Sequence, residues 1–264
     1  NGVPKSLKNT VYPFNYNDFD ELLSIVNTND IGVIKMEVVR NIGPEDNFLF
    51  KVRELASKRN IVLIFDECTS GFRETFGGIY QKYDVEPDMV MYGKTMGNGY
   101  AITAVVGIKS VMEAAQNTFI SSTFWTERIG PTAALATLKV MQEIKSWEAI
   151  TNIGKRMRKG WEKLADNHNL DIDILGIPSL STYSFKSNKN LEYKTLITQE
   201  MLKKGYLAST NFYASTAHNE DNLNLYLEAL NDVYSIISSC EKGNSKIESL
   251  LKGPVCHSGF KRLN

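Results

Sequence analysis

Lys94 follows the run "DMVMY" after a single glycine and stands among Gly93, Gly97 and Gly99, within the stretch "PDMVMYGKTMGNGYA". A solvated lysine needs no such setting. Glycines let a backbone approach a ligand closely, and the lysine adds one amine at a fixed place. Two phosphate-binding motifs contain similar letters, and neither fits. A P-loop also ends in Gly-Lys-Thr, but its first glycine would fall on Asp88, and the segment after Thr95 reads as a strand where that motif has a helix. A dinucleotide fingerprint would need a third glycine and a helix after Gly97-Asn98-Gly99, and it has neither.

Asp66 ends the run "IVLIF". Open α/β sheets gather ligands at the carboxyl ends of their strands, and Lys94 follows another strand in the same way. An amine and a carboxylate at one such edge suit pyridoxal phosphate, which needs a lysine for its Schiff base and an acid partner for its pyridine nitrogen. A carboxylate at Asp66 keeps that nitrogen protonated, so the ring accepts the electron pair left when a substrate Cα loses its proton. Lys94, once displaced, is placed to carry the proton.

The elements that position these two residues follow from periodicity. Asn17 or Asp18 caps a helix carrying Phe19, Leu22, Leu23 and Val26, and "IGVIKMEVV" is a strand. The helix "NFLFKVRELASKRN" leads into "IVLIF", whose unbroken apolar run predicts a strand covered on both faces. The strand "DMVMY" follows, and "AITAVVGI" turns back antiparallel at the sheet edge, because the loop between them is too short for a crossover helix. Helices alternating with strands give βαβ units and a mostly parallel sheet. One long helical stretch then runs from about Arg128 to His168, its first half rich in small residues suited to packing on the sheet. Beyond it come two short strands in "DIDILGIPSLSTYSFKS", a helix in "LEYKTLITQEMLKKG", an extended "YLASTNFYAS" and a final helix capped by Asn219. The expected fold class is α/β, with a large domain over residues 1–160 and a smaller α+β domain over 161–264.

Composition narrows the partners. The 264 residues carry 30 basic and 30 acidic side chains without a long block of one sign, which argues against a nucleic-acid or anionic-membrane surface. Cys68, Cys240 and Cys256 are odd in number and widely spaced, against a disulfide framework or zinc site and for a reducing, cytoplasmic compartment. His168, His218 and His257 lack ligand spacing and read as surface histidines. Apolar runs such as Ile61 to Phe65 fall far short of a membrane span.

Three ordered stretches, "IVLIFDECTSGFRETFGG", "VEPDMVMYGKTMGNGYAITAVVG" and "STFWTERIGPTAALATL", resemble the class III pyridoxal-phosphate aminotransferases, most of all the branch that includes glutamate-1-semialdehyde aminomutase. The resemblance extends over nearly the whole chain and weakens after about residue 165. It implies a fold-type I transferase that moves an amino group between an amino donor and a small carbonyl compound, with pyridoxal 5'-phosphate as cofactor. It also implies that Lys94 is the Schiff-base lysine, that Asp66 pairs with the pyridine nitrogen, and that Cys68 lies against the ring where the family usually has valine. Thr123 matches a threonine that reaches the cofactor phosphate of a neighbouring subunit, which implies a homodimer. Glu37-Val38 stands where the family has Glu-Pro; Glu37 and Arg40 read as a solvated pair at a strand end and are assigned no site role. The family's phosphate cup and ring-stacking aromatic belong to a part that would precede Asn1. The expectation is therefore a piece of a longer protein, or a truncated relative. A non-catalytic, dimeric interaction protein on the same fold is the alternative.

Overall fold

Four short strands form one sheet in the computed structural model, which describes residues 3–121, 123 and 126–258. The chain divides into two compact units, Asn1–Ile144 and Lys145–Asn264.

In the first unit, Asp18 caps α1 (Phe19–Thr28), its carboxylate accepting the Glu21 N–H at 2.9 Å. That bond satisfies one of the donors left unpaired at a helix start. β1 (Val33–Met36), α2 (Phe48–Arg59) and β2 (Val62–Asp66) make a βαβ unit, β3 (Met89–Tyr92) adds parallel to β2, and β4 (Ala104–Gly107) runs antiparallel on the outer side of β3. The order is β1-β2-β3-β4, the mixed, mostly parallel α/β sheet that the sequence predicts. One face of α2, with Phe48, Leu49, Val52, Leu55 and Ala56, is buried.

Burial alternates along each parallel strand. Ile34 and Met36, Leu63 and Phe65, and Val90 and Tyr92 are buried, while Lys35 is exposed and Ile64, Asp66 and Met91 are half-buried on the opposite face. The expectation of full cover on both faces of β2 is thus corrected: an unbroken apolar run does not by itself reveal that one of its faces stays partly open. Asp88 fixes the entry to β3, its Oδ2 accepting the Leu63 N–H at 2.7 Å and Arg53 Nη1 at 2.9 Å. Its own N–H returns to the Leu63 carbonyl at 2.9 Å.

Lys94 does not end β3. Gly93 intervenes, and Lys94 begins the single helical turn α3 (Lys94–Gly97). α4 (Lys109–Met112) and α5 (Ile129–Ile144) follow β4, and Ala134 of α5 packs with Val90, Tyr92 and Met96.

The long helical stretch is two helices. Lys145 adopts left-handed angles, φ 47° and ψ 51°, and separates α5 from α6 (Ser146–His168). Apolar periodicity runs on across this residue, so the break leaves no pattern in the sequence, and the expected domain boundary at residue 160 falls inside α6.

In the second unit, β5 (Ile172–Ile177) and β6 (Leu180–Phe185) form an antiparallel hairpin, α7 (Asn190–Lys203) follows, and β7 (Asn211–Tyr213) pairs with β6. α8 (Glu220–Glu241) starts at Asn219 in a reciprocal capping box with Asn222. Trp161, Tyr183, Tyr193 and Tyr234 centre a core in which the apolar faces of α6, α7 and α8 meet the sheet. Two histidines are more than surface residues: His168 Nε2 lies 2.9 Å from Asn231 Oδ1, and the His218 ring packs on Phe212. No helix among the described residues is long and apolar enough to cross a membrane.

Gly154 shows how closely α6 meets the hairpin, because a Cβ built there would lie 1.8 Å from the Pro178 carbonyl oxygen. Helix propensity alone would make Gly154→Ala stabilising by about 1 kcal/mol. A backbone clash of this depth outweighs that gain, and the expected net effect is a loss of about 1–3 kcal/mol. Urea denaturation measures it; an unchanged or higher midpoint would mean that α6 does not rest on the hairpin turn.

Candidate active site

Two main-chain bonds carry the β2–β3 ladder past the ends of both strands. Glu67 N–H donates to the Met91 carbonyl at 2.9 Å, and Lys94 N–H donates to the Cys68 carbonyl at 3.1 Å. Asp66, Cys68 and Lys94 are thereby held at one carboxyl edge of the sheet.

Each side chain at this edge has a defined partner. Asp66 Oδ2 accepts from Lys35 Nζ at 2.6 Å, and Oδ1 accepts the Cys68 N–H at 3.1 Å. Partial burial pushes the Asp66 carboxyl up, but the Lys35 ammonium, the Cys68 N–H and the charge of Lys94 together hold it below its ordinary value. Lys94 Nζ donates to Thr69 Oγ1 at 2.7 Å, so the amine is aimed although the residue is exposed. Cys68, Gly93, Lys94, Tyr100, Ala101, Ile102 and Thr103 line a cavity of about 420 Å³. A Cβ at Gly93 would fall 2.6 Å from Cys68 Sγ, so glycine is what allows the thiol and the Lys94 backbone to approach each other.

Glu67 holds the loop that carries Cys68 and Thr69. It is fully buried, accepting from Ser70 Oγ at 2.5 Å and from the Tyr80 N–H at 3.0 Å. Burial raises its carboxyl above the ordinary value despite these donors.

The structure therefore brings together three of the four residues that sequence marks. Thr123 is exposed and is not among the residues lining the cavity; Ser122, Phe124 and Trp125 of the same motif lie outside the described residues. Sequence reasoning passed over Lys35 and Thr69. Lys35 did leave a signal, being the one charge within the strand "VIKM" and lying on the same face as Asp66 by the Lys35↔Ile64 register. Thr69 left none. Arg40 is also more than one half of a solvated pair: its Nη1 reaches Glu37 Oε1 at 2.9 Å and Thr69 Oγ1 at 3.1 Å.

The Lys35–Asp66 pair has a pH consequence. Asp66 titrates below its ordinary value, so the stability it contributes is complete above about pH 3.9, the unfolded carboxylate value, and is lost as pH falls through the lower folded value. Lys35→Met should move the Asp66 titration upward and flatten that acid loss. Carboxylate ¹³C chemical shifts followed against pH report it, and an Asp66 titration identical in both proteins would show that the ion pair is not formed in solution.

Residues 33–217 match the family described as "Aminotransferase class-III". The chain is 33% identical over 207 residues to the 3-aminobutyryl-CoA aminotransferase of Cloacimonas acidaminovorans, which covers 75% of this chain and 50% of that protein. It is 30% identical over 254 residues to the glutamate-1-semialdehyde 2,1-aminomutase of Methanococcoides burtonii, covering 86% and 59% respectively. The chain thus spans between half and three fifths of the length of these relatives. Among solved structures, the pyridoxal-phosphate internal aldimine form of the Sphingopyxis sp. MTA144 FumI protein superposes with a TM-score of 0.86 at 23% identity, covering 95% of this chain and 63% of that one. An omega-transaminase from Sphaerobacter thermophilus superposes with a TM-score of 0.78 at 20% identity, covering 88% and 59%. These superpositions establish the fold-type I α/β architecture, and the matched sequence, which takes in β1 to β7 and both Asp66 and Lys94, establishes kinship: the chain belongs to the class III aminotransferase family.

Proposed function

We propose that the protein moves an amino group between an amino donor and a small carbonyl compound, using pyridoxal 5'-phosphate at the edge formed by Asp66, Cys68 and Lys94. One observation carries this proposal. An aimed amine and an ionised carboxylate sit at the carboxyl ends of two adjacent parallel strands, tied by the Lys94-to-Cys68 and Glu67-to-Met91 bonds, and a cavity opens beside the amine.

The residues suit this cofactor. An ionised carboxylate has about four lone-pair sites, and Lys35 and the Cys68 N–H each take one on Asp66, which leaves acceptor capacity for a ring N–H. When bound, pyridoxal phosphate supplies an aldehyde carbon for the donor's amine and an electron-accepting ring for the pair left at the donor's Cα. Lys94 anchors the cofactor by its amine and, once displaced, holds or returns the proton at the reacting carbon. Thr69 keeps that amine in place through its hydroxyl. Asp66, by staying ionised, would keep a ring nitrogen that it accepts from protonated. Cys68 would provide a small wall for the cofactor, and the exposed Thr123 would serve the phosphate held by a second copy, so a homodimer belongs to the proposal. So does a cytoplasmic setting, in keeping with three free cysteines.

Borohydride reduction of the protein loaded with pyridoxal phosphate, followed by peptide mapping, tests the assignment. The expected result is a label on Lys94 that disappears in Lys94→Ala. Label on a different lysine, or amino transfer by Lys94→Ala at the wild-type rate, would refute it.

A further inference from the structure

Lys35 is an unexpected residue inside a strand. Its neighbours Ile34 and Met36 are buried in the core, and lysine is disfavoured in strand interiors. The register of β1 on β2 puts Lys35 opposite Ile64, on the partly open face that also carries Asp66. From there its Nζ reaches Asp66 Oδ2 at 2.6 Å, while Oδ1 accepts the Cys68 N–H at 3.1 Å. The lysine side chain is 50% exposed and the aspartate 22%. An ion pair that open contributes little to stability, so the fold alone gives no reason for a charge at this position.

The other groups near this edge leave Lys35 as the main cation on Asp66. Met91, opposite Asp66 in register on β3, carries no charge. Glu37 and Arg40, past the end of β1, pair with each other at 2.9 Å. Glu67 turns to the closed side, where Ser70 and Tyr80 bind it. Lys94 of α3 also acts on Asp66 by its charge, but it is bonded to Thr69 and is the amine that the cofactor engages.

We propose that Lys35 remains the counter-ion of Asp66 when pyridoxal phosphate is bound, and thereby limits how firmly Asp66 holds the proton of the ring nitrogen. The inference rests on the function proposed above, and it makes Lys35 a positioning residue that acts through Asp66. A carboxylate has lone pairs enough to accept from both, so the Lys35 ammonium and the protonated ring share one anion. Each reduces what the other gains from it, because a like charge nearby disfavours the charged form of a titrating group. Asp66 still favours the protonated ring, but less than it would alone. A ring whose proton is held less firmly is a milder acceptor of the electron pair from the donor's Cα. Lys35 thus sets how strongly the site draws on that carbon. The protonated ring is lost as pH rises through its titration midpoint; Lys35 lowers that midpoint, and removing Lys35 moves the loss to higher pH.

The test uses the protein loaded with pyridoxal phosphate carrying ¹⁵N in its ring and fixed by borohydride, so that each variant holds the same group on Lys94. The ring ¹⁵N chemical shift followed against pH reports protonation directly and does not depend on turnover. Lys35→Met should raise the midpoint by about 1 pH unit, a gain of about tenfold in the ring's proton affinity. Lys35→Arg, which keeps the cation, should return the midpoint to that of the wild type. Urea denaturation and peptide mapping confirm that each variant is folded and labelled at the same lysine. A midpoint in Lys35→Met equal to that of the wild type would overturn the inference and leave Lys35 as a tie between β1 and β2. A Lys35→Arg midpoint that matches Lys35→Met would overturn it as well, since charge would not be the cause, and so would a wild-type ring still protonated at the alkaline limit of folding. Absence of label on Lys94 in the wild type would instead overturn the proposed function, and mapping reveals that before any titration is run.

Discussion

The bond from the Lys94 N–H to the Cys68 carbonyl is the constraint on which the site depends. Parallel strands deliver their carboxyl ends to the same edge of a sheet, but the strands alone stop short. β2 ends at Asp66 and β3 at Tyr92. The extra rung at Lys94, and its partner from Glu67 to Met91, extend the ladder into the two loops and fix their separation. Gly93 makes the rung possible, because any larger residue would press on Cys68 Sγ. The glycine beside Lys94 thus serves the packing of protein against protein as much as the approach of a ligand.

A site built on a ladder inherits the ladder's register, and both ends of β3 are pinned. At its start, Asp88 binds the Leu63 N–H and Arg53, in a pair whose side chains are about a fifth exposed. Ion pairs this sheltered are screened less than surface ones, and breaking one leaves the partner charge uncompensated. At its end, the Glu67 N–H binds the Met91 carbonyl, while the Glu67 carboxylate ties the loop after β2 to Ser70 and Tyr80, and so holds Cys68 and Thr69. Asp88, at the head of "DMVMY", is thereby accounted for in this chain as a register lock.

What could be read from the sequence depended on how local its cause was. The strands themselves, the Asp18 and Asn219 caps and the antiparallel return of β4 all arise within a few residues, and each is present. Asp66 and Lys94 were legible because each lies next to a recognisable strand end. Lys145, which breaks one apparent helix into two, was not legible, since a lone left-handed lysine interrupts no apolar pattern. Lys35, Thr69 and Arg40 reach the site from separate segments, and only the parallel pairing of β1 with β2 brings those segments together. Their sequence surroundings describe a strand, a turn and a loop.

The adjacent carboxylates of Asp66 and Glu67 show how far position governs chemistry when residue type is nearly constant. Successive side chains at a strand end point to opposite faces. Asp66 faces the partly open side, meets Lys35 and the Cys68 N–H, and is held ionised. Glu67 faces the closed side, is buried completely, and has its carboxyl pushed upward by that burial. A slip of one residue in the β2–β3 register would exchange the two, sending the ionised group into the core and the loop anchor out to the partly open face. The same apolar residues that build the sheet, Leu63 and Phe65 above all, forbid that slip, because it would turn them out to the open face. Core packing on one side of β2 therefore decides which acid on the other side is available to a ligand.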